Sequence, residues 1–323
     1  MSTSLDLSGI WKARYSLTTL SRKDLFFLFL TSCLFTLGFA LFHVMANVPT
    51  YSKEVESVLV WLVNRWNDVG ISMGSGDYSH GFLVPLAALY VVWLQRDELL
   101  LAPKKSSTTG LVFVCLALLG HYFGVKSQLA RVSIVALIGL CWSIPFYMYG
   151  WQVAKRLLFP CSFLLFAVPL NFLEGLSFPL RIINTNVSVN VLQFLGLDVK
   201  QVGTAIYGPP YNASATLKLD VADPCSGIRS LTAMMALTAI YGYLVMKSLW
   251  RKWALFLAAV PLAMAGNIFR IVSIGIMAEA INTNIATGLP HDYAGFIVFG
   301  CAIALMVGLS IFLNRDFRSG QTG

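Results

Sequence analysis

Long apolar runs, broken by short polar segments, repeat along almost the whole chain. Eight are read, at about 25–46, 80–95, 109–125, 131–149, 157–174, 228–246, 253–279 and 293–313. A run of about 20 apolar residues matches the hydrocarbon thickness of a bilayer. The pattern predicts an all-α polytopic membrane protein with about eight transmembrane helices. The run at 80–95 is the shortest. Two longer stretches interrupt the rhythm. Residues 47–79 include "VESVLVWLVNRW", whose apolar positions suit a helix lying at the membrane interface. Residues 175–227 include "FPLRIINTNVSVNVLQFLG", which predicts a second outer amphipathic helix. "VKQVGTAIYGPPYNASATLKLDVADP" follows, alternating apolar and polar residues with Gly208-Pro209-Pro210 as a turn. That reads as a small β-hairpin just before Cys225. The N-x-S sequon in "YNASA" reads as a chance match in a loop.

No repeat, low-complexity tract or soluble domain stands out, so residues 1–323 read as one membrane domain. The first apolar run lacks a clear small-residue cleavage site, and it reads as a span and not a cleavable signal. The composition agrees: 57% of residues are hydrophobic and 12% charged, against about 25% charged in soluble domains.

Charge sets the expected orientation. With the N-terminus inside, the inner segments hold 14 of the 23 basic residues, and their net charge is +9 against −1 outside. This is the asymmetry of the positive-inside rule. It makes 1–24 and 314–323 cytoplasmic. It also explains the basic balance without nucleic acid. Of six cysteines, at 33, 115, 141, 161, 225 and 301, no pair has metal-ligand spacing, and no metal or cofactor is expected. Five lie in apolar runs, where cysteine packs as a small hydrophobe. Cys225 does not.

Polar residues at the edges of spans are costly and tend to be functional. Three groups stand out. Asp223-Pro224-Cys225-Ser226-Gly227-Ile228-Arg229 opens the sixth span. Asn267 and Arg270 lie in the seventh. Pro290-His291-Asp292 opens the eighth. The expected topology puts all three near the outer face. Arg270 is 18 residues beyond Lys252, about 27 Å along a helix. Asp223 as N-cap and Pro224 in the first turn would place Cys225 at a helix start. Free N–H groups and the positive helix end there favour a thiolate. The N–H groups from Ser226 to Ile228 are suited to an oxyanion, and Gly227 leaves room for a peptide. Arg229 follows Cys225 by four residues on one helix face. Asn267 precedes Arg270 by three, also on a shared face. His80, in "YSHG", sits at another outer span end, where a structural hydrogen bond and a substrate contact are both open. His43 and His121 lie within apolar runs and read as local helix contacts. Ser226 has no Gly-x-Ser-x-Gly setting, which disfavours a serine nucleophile.

At these residues the sequence resembles the exosortase/archaeosortase family of membrane transpeptidases. "DYSHGFLVPLAALYVVWLQRDEL" resembles its N-terminal signature and "FPCSFLLFAVPLNFLE" its mid-chain block. "ADPCSGIRSL", "GNIFRI" and "HDYAG" resemble its cysteine, arginine and histidine motifs. The histidine in the last of these matches the bacterial branch. The resemblance implies Cys225 as nucleophile, with Arg270 and His291 completing the site. It implies exported protein substrates whose C-terminal signal is a short motif, one membrane helix and a basic cluster. It also implies cleavage through a thioester and release to an unidentified acceptor nucleophile. In that reading Arg270 either stabilises the oxyanion or binds a substrate carboxylate. The protein would sit among the lipids of the inner membrane with its site on the outer side. A transporter or scaffold with a polar outer pocket is the alternative. A transporter is expected to carry its polar positions near the bilayer midplane, whereas here they gather at one face.

Overall fold

Many apolar side chains point outward along the helices, while others pack with small and polar residues at the contacts between them. The computed structural model describes residues 22–45, 47–49, 55–67, 78–169, 171–211, 218–220, 228–280 and 289–314. Its contacts divide the chain into two compact units, Met1–Gly70 with Tyr78–Pro169, and Ile71–Asp77 with Leu170–Gly323.

The first unit contains α1 (Arg22–Val44), the short strands β1 (Asn47–Pro49) and β2 (Val55–Ser57), and α2 (Val58–Asn67). It continues with α3 (Leu83–Leu94), α4 (Arg96–Leu101), α5 (Thr108–Lys126), α6 (Ala130–Tyr149) and α7 (Trp151–Phe163). β1 and β2 pair antiparallel. Its core joins Phe42 of α1 to Ala117 of α5 and to Leu137, Leu140 and Ile144 of α6. Glycines let α5 and α6 approach closely, as small residues do between membrane helices. A Cβ at Gly110 would fall 2.4 Å from the Tyr147 nitrogen, and one at Gly124 2.7 Å from that of Ser133. His121 Nδ1 bonds Ser133 Oγ at 2.6 Å and its ring stacks on Phe42. His43 Nδ1 bonds Ser57 Oγ. Expected to make local helix contacts, His43 and His121 both bond to other elements instead, and His121 joins α5 to α1 and α6.

After α7 the chain makes a 3-10 turn, Leu164–Ala167, and leaves backbone carbonyls without helical partners. Three side chains supply donors. His80 Nε2 bonds the Phe166 carbonyl at 3.1 Å. Trp66 Nε1 donates to Ala167 O at 2.8 Å, and Arg131 Nε to Pro169 O at 2.7 Å. A carbonyl can only accept, so His80 carries its proton on Nε2. Gly81 is obligatory here, because a Cβ on it would lie 2.3 Å from Trp66 Nε1. The "YSHG" segment thus fastens a helix break, with His80 in a structural hydrogen bond.

The second unit contains α8 (Asn171–Phe194), strands β3 (Lys200–Val202), β4 (Ala205–Tyr207) and β5 (Lys218–Asp220), then α9 (Ile228–Val245), α10 (Leu249–Ala280) and α11 (Leu289–Asn314). The strands form one antiparallel sheet in the order β3-β4-β5. The segment expected as a single hairpin supplies all three strands, and Gly208-Pro209-Pro210 lies between the antiparallel pair β4 and β5. The tight turn lies between Val202 and Ala205. Val199, Ile206 and Leu219 of the sheet pack with Val189 and Leu192 of α8 and Ile271, Ile274 and Ala278 of α10.

Among the described residues five helices are long and apolar enough to cross a membrane: Leu25–Val44, Thr108–Lys126, Ala130–Tyr149, Leu249–Glu279 and Ile297–Asn314. Three of the eight expected spans are shorter. His80–Leu94 and Ser230–Val245 are apolar helices below that length, and the run at 157–174 is cut when α7 ends at Phe163. Apolar composition continues through that break, so the run looks longer than the helix. The segment expected as a second outer amphipathic helix lies within α8. α8 packs along α10 and buries Asn184, Thr185 and Ser188 together with Val189 and Leu192, while Asn186, Asn190 and Gln193 stay exposed.

Candidate active site

Contacts along the second unit fix how its helices align. A Cβ at Gly242 of α9 would touch Lys252 and Leu255 of α10, and one at Gly266 of α10 would touch Val298 of α11. α9 and α11 therefore both run antiparallel to α10. The bond between Tyr241 OH of α9 and Ser310 Oγ of α11, 3.1 Å, agrees, since both alignments put these two residues at one height. α8 instead runs parallel to α10. A Cβ at Gly275 would lie 3.0 Å from Leu192, while Leu180, one end away, packs in the cluster of Leu255, Ala259 and Ala263.

With the common rise per helical residue, these anchors place several positions at one height. Ile228, where α9 starts, falls at about the level of residue 267 of α10. His291, in the first turn of α11, falls at about residue 273. Asn184 and Ser188 of α8 fall at about residues 267 and 271. Arg270 is thus level with the starts of α9 and α11 and with the middle of α8. This height lies at the end of the unit remote from the Lys247–Lys252 loop. β5 approaches the same height. Asp220 pairs with Ala205, and the adjoining Thr204 carbonyl accepts a bond from Thr185 Oγ1 of α8 at 3.4 Å.

Asn267 is buried on the face of α10 that also carries Ile271 and Ile274, and Arg270 is half-buried beside it. Cys225, Ser226 and Gly227 lie outside the described residues. Arg229 sits in the first turn of α9, and His291 and Asp292 in that of α11, as backbone positions without described side chains. His80 belongs to the first unit, where it holds the Phe166 carbonyl.

The structure adds a buried polar stripe that the sequence reading did not single out. α8 buries Asn184, Thr185 and Ser188 while exposing Phe178, Ile183, Val187 and Phe194. Thr185 bonds back to the Arg181 carbonyl. Among the described residues, Arg181 Nε, Asn184 Oδ1, Ser188 Oγ and Asn267 Nδ2 are buried without a hydrogen-bond partner. The signal in the sequence is the spacing of Arg181, Asn184 and Ser188, three and four residues apart on one helix face. No cluster of three or more metal-ligating side chains occurs among the described residues.

Residues 66–308 match the family model described as transmembrane exosortase. No curated protein and no solved structure matches the chain.

Proposed function

Because this chain belongs to the transmembrane exosortase family, we propose that it is a membrane-embedded cysteine transpeptidase acting on the C-terminal sorting signals of exported proteins. The observation that carries the reading is the common height of the start of α9, Arg270 and the start of α11. The cysteine, arginine and histidine motifs enter the unit at that level on three different helices. Cys225 precedes Ile228 by three residues, which covalent geometry limits to about 11 Å. Charge asymmetry puts this end on the outer side, where an exported substrate emerges.

In this mechanism the Cys225 thiolate attacks the carbonyl carbon of the scissile peptide bond. The carbonyl oxygen becomes an oxyanion, which the Arg270 guanidinium stabilises together with free N–H groups at the start of α9. Collapse breaks the C–N bond, His291 gives its proton to the departing nitrogen, and a thioester remains. An acceptor nucleophile, losing its proton to His291, then attacks the thioester and releases the thiolate. Asn267, Asp292 and Arg229 support the site around these groups.

The test is a reporter exported protein from the same genome, ending in a short polar motif, one apolar helix and a basic cluster. Co-expression with this protein should shorten the reporter, and Cys225→Ala should leave it full length while the variant still accumulates in the membrane. Shortening at the unmutated rate by Cys225→Ala would refute the cysteine mechanism.

A further inference from the structure

The buried stripe of α8 is out of place in a finished fold. Asn184 and Asn267 lie on packed helices at one height, and one offers an unused acceptor while the other offers an unused donor. They do not bond each other. Ser188 Oγ and Arg181 Nε extend the same row in opposite directions along α8. Four buried polar atoms without partners are a substantial burden, because each forfeits the hydrogen bonds it makes with water. Such groups call for an explanation, and a partner absent from the free protein is one.

The donor and acceptor pattern indicates what that ligand is. The row presents donors at Arg181 and Asn267, an acceptor at Asn184, and a hydroxyl at Ser188 that can serve as either. Turning the Asn267 amide leaves the row mixed, and with the Asn184 amide turned the Ser188 hydroxyl supplies the acceptor. A purely anionic ligand would leave the acceptor unused, and a hydrocarbon ligand would leave all four. An extended peptide main chain offers N–H and C=O groups in alternation and matches a mixed row. The row is also level with Arg270 and with the start of α9. We propose that Arg181, Asn184 and Ser188 of α8, with Asn267 of α10, form a subsite that binds the main chain of the substrate segment beside the scissile bond. The inference rests on the transpeptidase reading above and extends its site to a helix that reading does not use.

The test separates a binding role from a structural one. Asn184→Leu and Ser188→Ala are made in the Cys225→Ala protein, so no chemistry intervenes. Two quantities are measured: the melting temperature in detergent, and the affinity for the fluorescently labelled C-terminal tail of the reporter. Groups held for a substrate contribute nothing to the free fold, so the melting temperature should hold or rise. Affinity should fall about fivefold to tenfold for each variant, the value of one lost hydrogen bond. A lowered melting temperature overturns the proposal, because the groups then serve the fold. Unchanged affinity overturns it too, and means that only water occupies the row. If affinity is unchanged while processing still requires Cys225, the subsite alone fails. If the parent protein neither binds the tail nor shortens the reporter, the substrate class fails and the subsite falls with it.

Discussion

Arg270 and Arg229 can both raise the potential near Cys225, but they differ in what lysine can replace. Arg229 is four residues from Cys225 at the beginning of α9, so in the proposed site it acts as a point charge favouring the thiolate. The N-terminus of α9 already supplies part of that effect. Arg270 comes from α10, three residues from the buried Asn267, and in the proposed site it meets the substrate from another helix. Its planar fork of donors has no counterpart in an ammonium group. Arg270→Lys should therefore slow reporter processing on the order of 100-fold, the usual cost of one oxyanion donor, and Arg229→Lys much less. Processing rates at matched membrane levels decide this, and the reverse ranking would exchange the two roles. Asn267 and Arg270 were legible in the sequence because they interrupt an otherwise apolar run. Arg181, Asn184 and Ser188 were not. Isolated polar residues in a mixed segment look the same whether they face water or a neighbouring helix.

The same ambiguity acts on whole elements. An interfacial helix and a packed helix with its polar side inward share one 3.6-residue periodicity, so the sequence of α8 predicts amphipathicity but not which face is buried. The contact of Leu192 with Gly275 and the sheet packed on Val189 and Leu192 mark the buried face, which carries these apolar residues beside Asn184, Thr185 and Ser188. The apolar run at 157–174 hides its break for a related reason. The carbonyls of Phe166, Ala167 and Pro169 are served by His80, Trp66 and Arg131, all distant in sequence. Composition cannot reveal such partners. It follows that Gly81→Ala should be costly, because Trp66 must move and give up its bond to Ala167. A loss of about 1–3 kcal/mol is expected from the overpacking, seen as a lower melting temperature in detergent. Gly300→Ala in α11 is the matched control. Its Cβ would meet nothing within 4 Å, and alanine is the better helix former by up to about 1 kcal/mol. Equal melting temperatures for the two variants would remove the strap argument.

Across the whole molecule, the family match from 66 to 308 runs through parts of both compact units. Most of the first unit therefore belongs to the region the family shares, even though the proposed chemistry lies in the second. What joins the reading is orientation, and orientation rests on loop charge alone. It can be tested in each unit separately, because each contains an antiparallel helix pair with well-described ends. In the first, Ser106 precedes α5 and Ser127 follows it, both exposed. In the second, Ser248 lies in the basic connection between α9 and α10, and Val202 is exposed in the sheet at the opposite end. Single cysteines at these four positions, in a background without the native cysteines, should divide cleanly. A membrane-impermeant maleimide applied to cells with a permeabilised outer envelope should label Ser127→Cys and Val202→Cys. Ser106→Cys and Ser248→Cys should react only after the inner membrane is opened. The opposite pattern in the second unit would turn Arg270 and the starts of α9 and α11 toward the cytoplasm. A substrate already exported could not reach them there, and the sorting role would fail however well the three motifs match.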